Sequence, residues 1–424
     1  MIRSSSRSRL VFGLVFVLSL LAPLGAARAQ TLSDGMNVLD AKYRTHRGLL
    51  RDLFKGTLQA DPNDRAHAEA IDTEARYVTY RVYLDHLEGQ PGRIDKAYKD
   101  FEGDIKDLTT GARNPQLMQP LADVYRDKIR IHALEVIQFD KAKPIHKIHN
   151  ARVLAKVAEL GQGKLAETLV TVLQDDKQNG GVHYYALQGL RHLLALAQRQ
   201  QQPPLLSKDD EAKCAEAIIA FLGRNPNLPA GAPQQEIDGF RILRREGVRA
   251  LAQIHTPSFS DKVRPALTLA RFAGADESIQ PPPRIDERME AALGLARMPS
   301  AKNQQYQPDY AAGMIARFLG AFFTEAESQR EKTTDRTRAW KKDASQLIEA
   351  LAALKADSGK NSYVSQVVDR ATGLLDRIVR GTELDAGQKT WFTTPQSDPP
   401  SKELFKGTAD SAVKSGKPAE PAEK

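Results

Sequence analysis

The sequence has one cysteine, only 6% aromatic residues and no long apolar run beyond its N-terminus. With Cys214 alone, the chain cannot form an intrachain disulfide, and CxxC redox or metal motifs are excluded. A chain of 424 residues is long enough to bury a core without covalent cross-links. Since Cys214 lies in the apolar segment AKCAEAIIAFL, we expect it to be a small buried hydrophobic residue.

Common catalytic and cofactor motifs are also missing. The sequence contains no HExxH and no Gly-x-Ser-x-Gly, and Gly161-x-Gly163-Lys164 lacks phosphate-loop spacing. His146 and His149 would lie near one helical face, but a metal site needs three or four ligands and no third accompanies them. We therefore expect neither a cofactor nor a metal site.

The positive charge is weak and dispersed. The formal net charge is +8, and four of those charges come from arginines in residues 1–29, which contain no acid. Residues 30–424 therefore carry only +4, interspersed along the chain. Nucleic-acid binding usually requires a concentrated basic face, so no nucleic-acid partner is predicted.

The N-terminus has the three parts of a secretory signal peptide. Arg3, Arg7 and Arg9 precede the uncharged run 10–21, and Ala27-Arg28-Ala29 gives the small-x-small pattern of a cleavage site. A membrane span needs about 20 apolar residues, so this run is too short to be an anchor. We predict cleavage after Ala29 and export to the periplasm or the extracellular space, without stable membrane insertion.

Helical periodicity dominates the rest of the chain. Leu165, Leu169, Val172 and Leu173 recur at i, i+4, i+7 and i+8, which places them on one helical face. The strand-like segment 77–84, YVTYRVYL, lies in a longer run without turn residues, and we interpret it as a tyrosine-rich helix face. The prediction is an all-α protein.

Breaks in the pattern divide the chain. The predicted parts are a signal peptide (1–29), a helical N-terminal region (30–145), helical repeats (146–380), a C-terminal docking segment (381–407) and a tail (408–424). Trp391-Phe392 would anchor the docking segment. The tail has Val413 as its only sizeable apolar side chain, so we expect it to be disordered.

Four segments repeat a helix rich in Val, Leu and Ala, at 151–161, 182–194, 248–254 and 289–296. Val248-Arg249-Ala250-Leu251 with Ile254 resembles the inner helix of the HEAT repeat, and Val182 with Ala186-Leu187 and Leu190 is similar. The resemblance covers about residues 150–300. It implies an α-solenoid of stacked antiparallel helix pairs, whose second helices line an extended binding surface.

One of those second helices would carry an arginine ridge. Arg241, Arg245 and Arg249 recur at i, i+4 and i+8, with Arg244 beside them, and guanidinium groups bind carboxylates and phosphates through paired donors. The alternative is a solvated face partly neutralised by local acids, with Arg249 paired to an acid of the next repeat, as the resemblance implies.

A second candidate site contains His183 and Tyr184. These side chains could line a sugar- or peptide-binding groove, or could pack within a repeat helix. We predict an exported, non-enzymatic helical-repeat scaffold or binding protein for a protein, peptide or cell-envelope polymer. The alternative is an envelope enzyme acting on polysaccharide, which would gather His183, Tyr184, a carboxylate and an arginine in one deep cleft.

Overall fold

The protein is described from a computed structural model that covers most of the chain. The described residues are 36–59, 61, 63–83, 91–110, 115–161, 163–199, 204–224, 226, 229, 231–300, 303–329, 334–408 and 412–414. The predicted signal peptide and its cleavage site lie outside them.

The described chain is all-α, as predicted. It contains fifteen α-helices and no β-strand, apart from an isolated bridge between Tyr306 and Phe405. None of the described helices is long and apolar enough to cross a membrane. The chain divides into two compact units, Met1–Leu160 and Gly161–Lys424.

The first unit is built from five α-helices in its described residues. They are α1 (Met36–Phe54), α2 (Arg65–Tyr80), α3 (Pro91–Thr110), α4 (Pro115–Gln138) and α5 (Pro144–Val157), with 3-10 turns at Arg81–Tyr83 and Ala158–Leu160. α2 packs against α1 and α4, and α4 packs against α5. Residues 77–83 are helical, so the interpretation of the tyrosine-rich segment as a helix is confirmed for them.

The second unit continues the helical order. It contains α6 (Gly163–Gln174), α7 (Gly180–Ala197), α8 (Lys208–Leu222), α9 (Gln234–Leu251), α10 (Pro265–Ala273), α11 (Ile285–Ala296), α12 (Pro308–Gln329), α13 (Thr334–Ser358), α14 (Ser362–Arg380) and α15 (Ala386–Trp391), followed by a 3-10 turn at Pro395–Ser397.

The helices of the second unit stack as antiparallel pairs in two layers. α6, α8, α10 and α12 pack successively on one another in the first layer, and α7, α9, α11 and α13 do so in the second layer. Within the pairs, α6 packs on α7, α8 on α9 and α10 on α11. The apolar stripes predicted from sequence are buried here, with Leu165, Leu169 and Leu173 each 0% exposed. A helix pair can bury its apolar surface fully only against neighbouring pairs, and this requirement produces the stack.

Close packing within the second layer depends on one small residue. A Cβ at Gly294 in α11 would lie 2.7 Å from the Cβ of Ala252, directly after α9, and 2.9 Å from its Cα. α11 therefore approaches the end of α9 at a distance that excludes any side chain.

The segment after α14 lies against the last helices. Trp391 and Phe392 are buried, with the Phe392 ring 5.3 Å from that of Phe323 and the guanidinium of Arg370 5.1 Å from the Trp391 ring. This is the arrangement expected of a docked segment.

At Val413 the structure differs from the disordered tail that the sequence predicts. Its side chain is 8% exposed, and its backbone N–H donates to the Tyr310 hydroxyl at 2.6 Å. The next residue, Lys414, accepts from the backbone N–H of Glu277 at 3.1 Å. A single valine in a polar run has no periodicity, so this anchor cannot be recognised from the sequence pattern. Residues 415–424 lie outside the described residues.

Removing the Val413 anchor should lower stability. A chain that ends at Thr408 is expected to lose about 1–3 kcal/mol, because a buried valine and three hydrogen bonds made by Val413 and Lys414 are removed. A chain that ends at Lys414 is the matched control and should unfold at the same urea concentration as the full chain. Equal midpoints for both truncations would show that the anchor contributes nothing.

Candidate binding groove

A groove lies on the second layer, at α7, α9 and the start of α11. Its volume is about 270 Å³, and we call it the arginine groove. Its lining consists of Tyr184, Asp238, Arg241, Ile242, Arg245, Glu246, Arg249, Arg284 and Asp286. The helical spacing that predicted a ridge of Arg241, Arg245 and Arg249 thus places all three side chains in one groove.

The arginines of this groove are already paired with acidic side chains. Arg245 makes ion pairs with Asp286 at 3.3 Å and with Glu290 at 3.6 Å. Arg249 pairs with Glu290 at 3.0 Å and with Glu246 at 3.3 Å. Since Glu290 lies in α11, the contacts agree with the alternative interpretation, in which Arg249 pairs with an acid of the next helix pair.

The remaining charges continue this alternation. Arg241 lies 4.0 Å from Asp238 and donates to the Pro282 carbonyl at 3.4 Å. Arg284 pairs with the same Asp238 at 3.2 Å. The groove therefore presents donors and acceptors in alternation and is not a bare cationic surface.

Arg244 requires a correction, because it lies in the core and not on the ridge. It is 2% exposed, and its Nε and Nη2 donate to the two Glu287 carboxylate oxygens at 2.5 and 3.0 Å. Its Nη1 donates to the Pro281 carbonyl at 2.7 Å, and the guanidinium lies 5.3 Å from the Phe240 ring and 5.6 Å from the Phe272 ring. The side chain points between helices and is not available to a ligand.

His183 also requires a correction, because it does not join Tyr184 in the groove. It is 7% exposed, its Nε2 donates to the Asp175 carbonyl at 3.0 Å, and its ring lies edge-on to Phe221 at 5.5 Å. Burial lowers its pKa, so the imidazole is held neutral. Tyr184 is half-buried and lines the arginine groove, where its ring lies edge-on to Tyr185.

A second, larger groove lies at α11, α12 and α13. Its volume is about 500 Å³, and we call it the tryptophan groove. Its lining consists of Arg284, Ile285, Asp286, Met289, Phe322, Glu325, Gln329, Ala339, Trp340 and Asp343. Arg284 and Asp286 line both grooves, so the two grooves adjoin on the second layer, and we call them together the strip.

The tryptophan groove combines an apolar floor with acidic walls. Met289 and Phe322 are buried, and the Trp340 ring packs edge-on against Phe322 at 4.8 Å. Burial raises the pKa of the Asp343 carboxyl, and the nearby Glu290 charge raises it further. Sequence reasoning missed this site, because Trp340 is isolated in the sequence and its neighbours come from separate helices.

The other candidates from sequence are structural. Cys214 is 1% exposed, and burial raises its thiol pKa to about 12, which confirms it as a buried hydrophobic residue. His149 donates from Nε2 to the Val78 carbonyl at 3.3 Å, and burial lowers the pKa values of His149 and His146 to about 3 and 4. Within the described ranges, no three His, Cys, Asp or Glu side chains are grouped so as to hold a metal ion.

Comparisons with protein-family models, with characterised proteins and with solved structures find no match to this chain. The fold and the strip define an all-α protein of stacked antiparallel helix pairs with a charged and aromatic groove on one layer.

Proposed function

We propose that this chain is an exported, non-enzymatic helical-repeat binding protein of the HEAT-like type, whose ligand is a protein, peptide or cell-envelope polymer. The observation that carries the proposal is that the two grooves adjoin at Arg284 and Asp286. An extended strip on one layer of a helical stack suits an extended ligand. Export rests on the basic, apolar and small-x-small order of residues 1–29.

The arginine groove has the chemistry of a protein-binding surface. Ile242 lies in it and is 58% exposed, although it is a large apolar side chain. The core of an interface is depleted of charged residues, and aromatic and arginine side chains are enriched among those that contribute most of the binding energy. The arginines are held by their carboxylate partners, so little side-chain entropy is lost when a ligand binds.

The enzyme alternative is less well supported. It requires His183 and Tyr184 together with a carboxylate and an arginine, and His183 instead bonds to the Asp175 carbonyl outside the groove. Glu246 is 3% exposed, and its carboxylate is already paired with Arg191 at 2.7 Å. A fold by itself does not carry a function, and the groove favours binding over acid–base chemistry.

Photo-cross-linking tests this proposal. A photoreactive amino acid at position 242 is expected to capture a discrete partner in intact cells, because that side chain lies exposed in the groove. Position 145 is the matched control, since Ile145 is 49% exposed but belongs to the first unit.

The captured partner then allows a direct affinity measurement. Tyr184→Ala combined with Ile242→Ser should weaken its binding about tenfold or more, while the unfolding free energy changes by only about 0.5–1 kcal/mol. Identical cross-links at both positions, or unchanged affinity, would contradict a binding role for the groove.

A further inference from the structure

Two carboxylates in the tryptophan groove make no close ion pair within the described part of the chain. Glu325 and Asp343 both line it, and neither makes an ion pair within 4.0 Å with any described residue. Asp286 differs, because Arg245 lies 3.3 Å from it and Arg284 3.9 Å. The lining thus contains three acidic side chains and one basic side chain.

The floor between these carboxylates is apolar. Trp340 is half-buried, Phe322 is 1% exposed and Met289 is 8% exposed. A small inorganic cation would require oxygen ligands on all sides, whereas a lysine or arginine side chain combines an apolar stem with a charged head. The face of a tryptophan is also the aromatic surface that attracts organic cations most strongly.

The continuity with the arginine groove favours a polypeptide over a single amine. A volume of about 500 Å³ holds a long side chain together with part of a backbone, and the strip continues past Arg284 and Asp286 toward Ile242. Neighbouring residues of the same ligand would there meet alternating guanidinium and carboxylate groups.

We infer that the tryptophan groove docks a lysine or arginine side chain of an extended partner polypeptide, with its stem on Trp340 and its head at Asp343 and Glu325. This inference rests on the proposed binding function and specifies the ligand of the same strip.

Tryptophan fluorescence gives a direct test. The chain has two tryptophans, and Trp391→Phe leaves Trp340 as the only one, so its emission reports on this groove. Titration of the full chain with tetralysine is expected to give a saturable change that weakens as salt is added, whereas tetraglutamate gives none. Calorimetry on the unsubstituted chain provides the same comparison if Trp391→Phe destabilises the protein.

Charge-neutralising variants locate the interaction. Asp343→Asn combined with Glu325→Gln should weaken tetralysine binding about tenfold, a change of about 1.4 kcal/mol. Glu349→Gln is the matched control, because Glu349 is an exposed acid of α13 that does not line the groove. An equal loss in this control would overturn the inference by showing only non-specific charge attraction.

Two further ligands distinguish the possible occupants. Cadaverine carries a cation without a peptide backbone, and a glucosamine oligomer carries amines on a polysaccharide. If either binds as tightly as tetralysine, the polypeptide assignment is overturned.

If position 242 cross-links to a partner but tetralysine does not bind, the docking inference fails and the proposed function stands. If tetralysine binds and position 242 captures nothing, the proposed function fails instead.

Discussion

Arg244→Met is expected to destabilise the second unit by about 3–5 kcal/mol in urea unfolding, the cost typical of breaking a buried ion pair from one side. Arg244 and Glu287 have side chains only 2% and 1% exposed, so the substitution leaves a carboxylate buried without its partner. The same Glu287 accepts from the Arg284 backbone N–H at 2.8 Å, at the start of α11. Loss of the arginine therefore disturbs both the contact between α9 and α11 and the N-terminus of α11.

Two controls separate burial from charge. Arg245→Met removes an equal charge one residue away, but Arg245 is 42% exposed and its loss should cost only about 0–1 kcal/mol. The double variant Arg244→Met, Glu287→Leu should recover much of the lost stability, because no buried charge remains. An Arg244→Met protein as stable as Arg245→Met would show that the buried pair is not a structural element.

The second expected result is a fall in the stability of the first unit as the pH rises from 7 to 9. Glu74 is 3% exposed, and burial together with the Asp104 charge raises its pKa to about 8. Burial likewise raises the pKa of Asp104 to about 7. The charges of Arg81 and Arg47 oppose both shifts without cancelling them.

The direction follows from proton linkage. Both folded-state pKa values lie above the unfolded values near 4, so unfolding releases protons and stability decreases with rising pH until the folded groups ionise. We expect a loss of about 1–2 kcal/mol between pH 7 and pH 9. The lowered pKa values of His146 and His149 make stability increase with rising pH, but only below about pH 6.5, where these side chains titrate in the unfolded chain.

Hydrogen exchange of α2 and α4 peptides along a urea gradient would report on the first unit alone. Glu74→Gln should flatten the pH dependence and raise stability at pH 9 by about 1–3 kcal/mol, because no charge then has to be buried. Glu69→Gln, on the exposed face of α2, should retain the full dependence. A Glu74→Gln protein with the original slope would show that Glu74 is not the titrating group.

The sequence predicted the local features of the fold well. Ser207 stands before an acidic first turn, which is a typical capping position, and its hydroxyl accepts from the Asp210 backbone N–H at 3.1 Å at the start of α8. The apolar stripes beginning at Leu165 and Val182 became the buried faces of α6 and α7. These outcomes depend on residues within one or two turns, and that information is present in any short window of sequence.

The sequence also brought Arg241, Arg245 and Arg249 to one side of a helix, because i, i+4 and i+8 spacing fixes a common face. It did not separate them from Arg244, which is close enough in angle to belong to the same surface. Arg244 is buried because α9 packs on α11, where Glu287 accepts its hydrogen bonds. Glu287 lies 43 residues from Arg244 in the chain, so no short stretch of sequence contains both partners.

Helix positions and buried faces were therefore determined by the sequence itself, through periodicity and capping that act over a few residues. The partners of His183, the burial of Val413 and the assembly of Trp340 with Asp343 and Glu325 were decided only by the tertiary structure. Each of these depends on which helices stack and at what distance, and that arrangement is a property of many weak contacts between segments far apart in the chain.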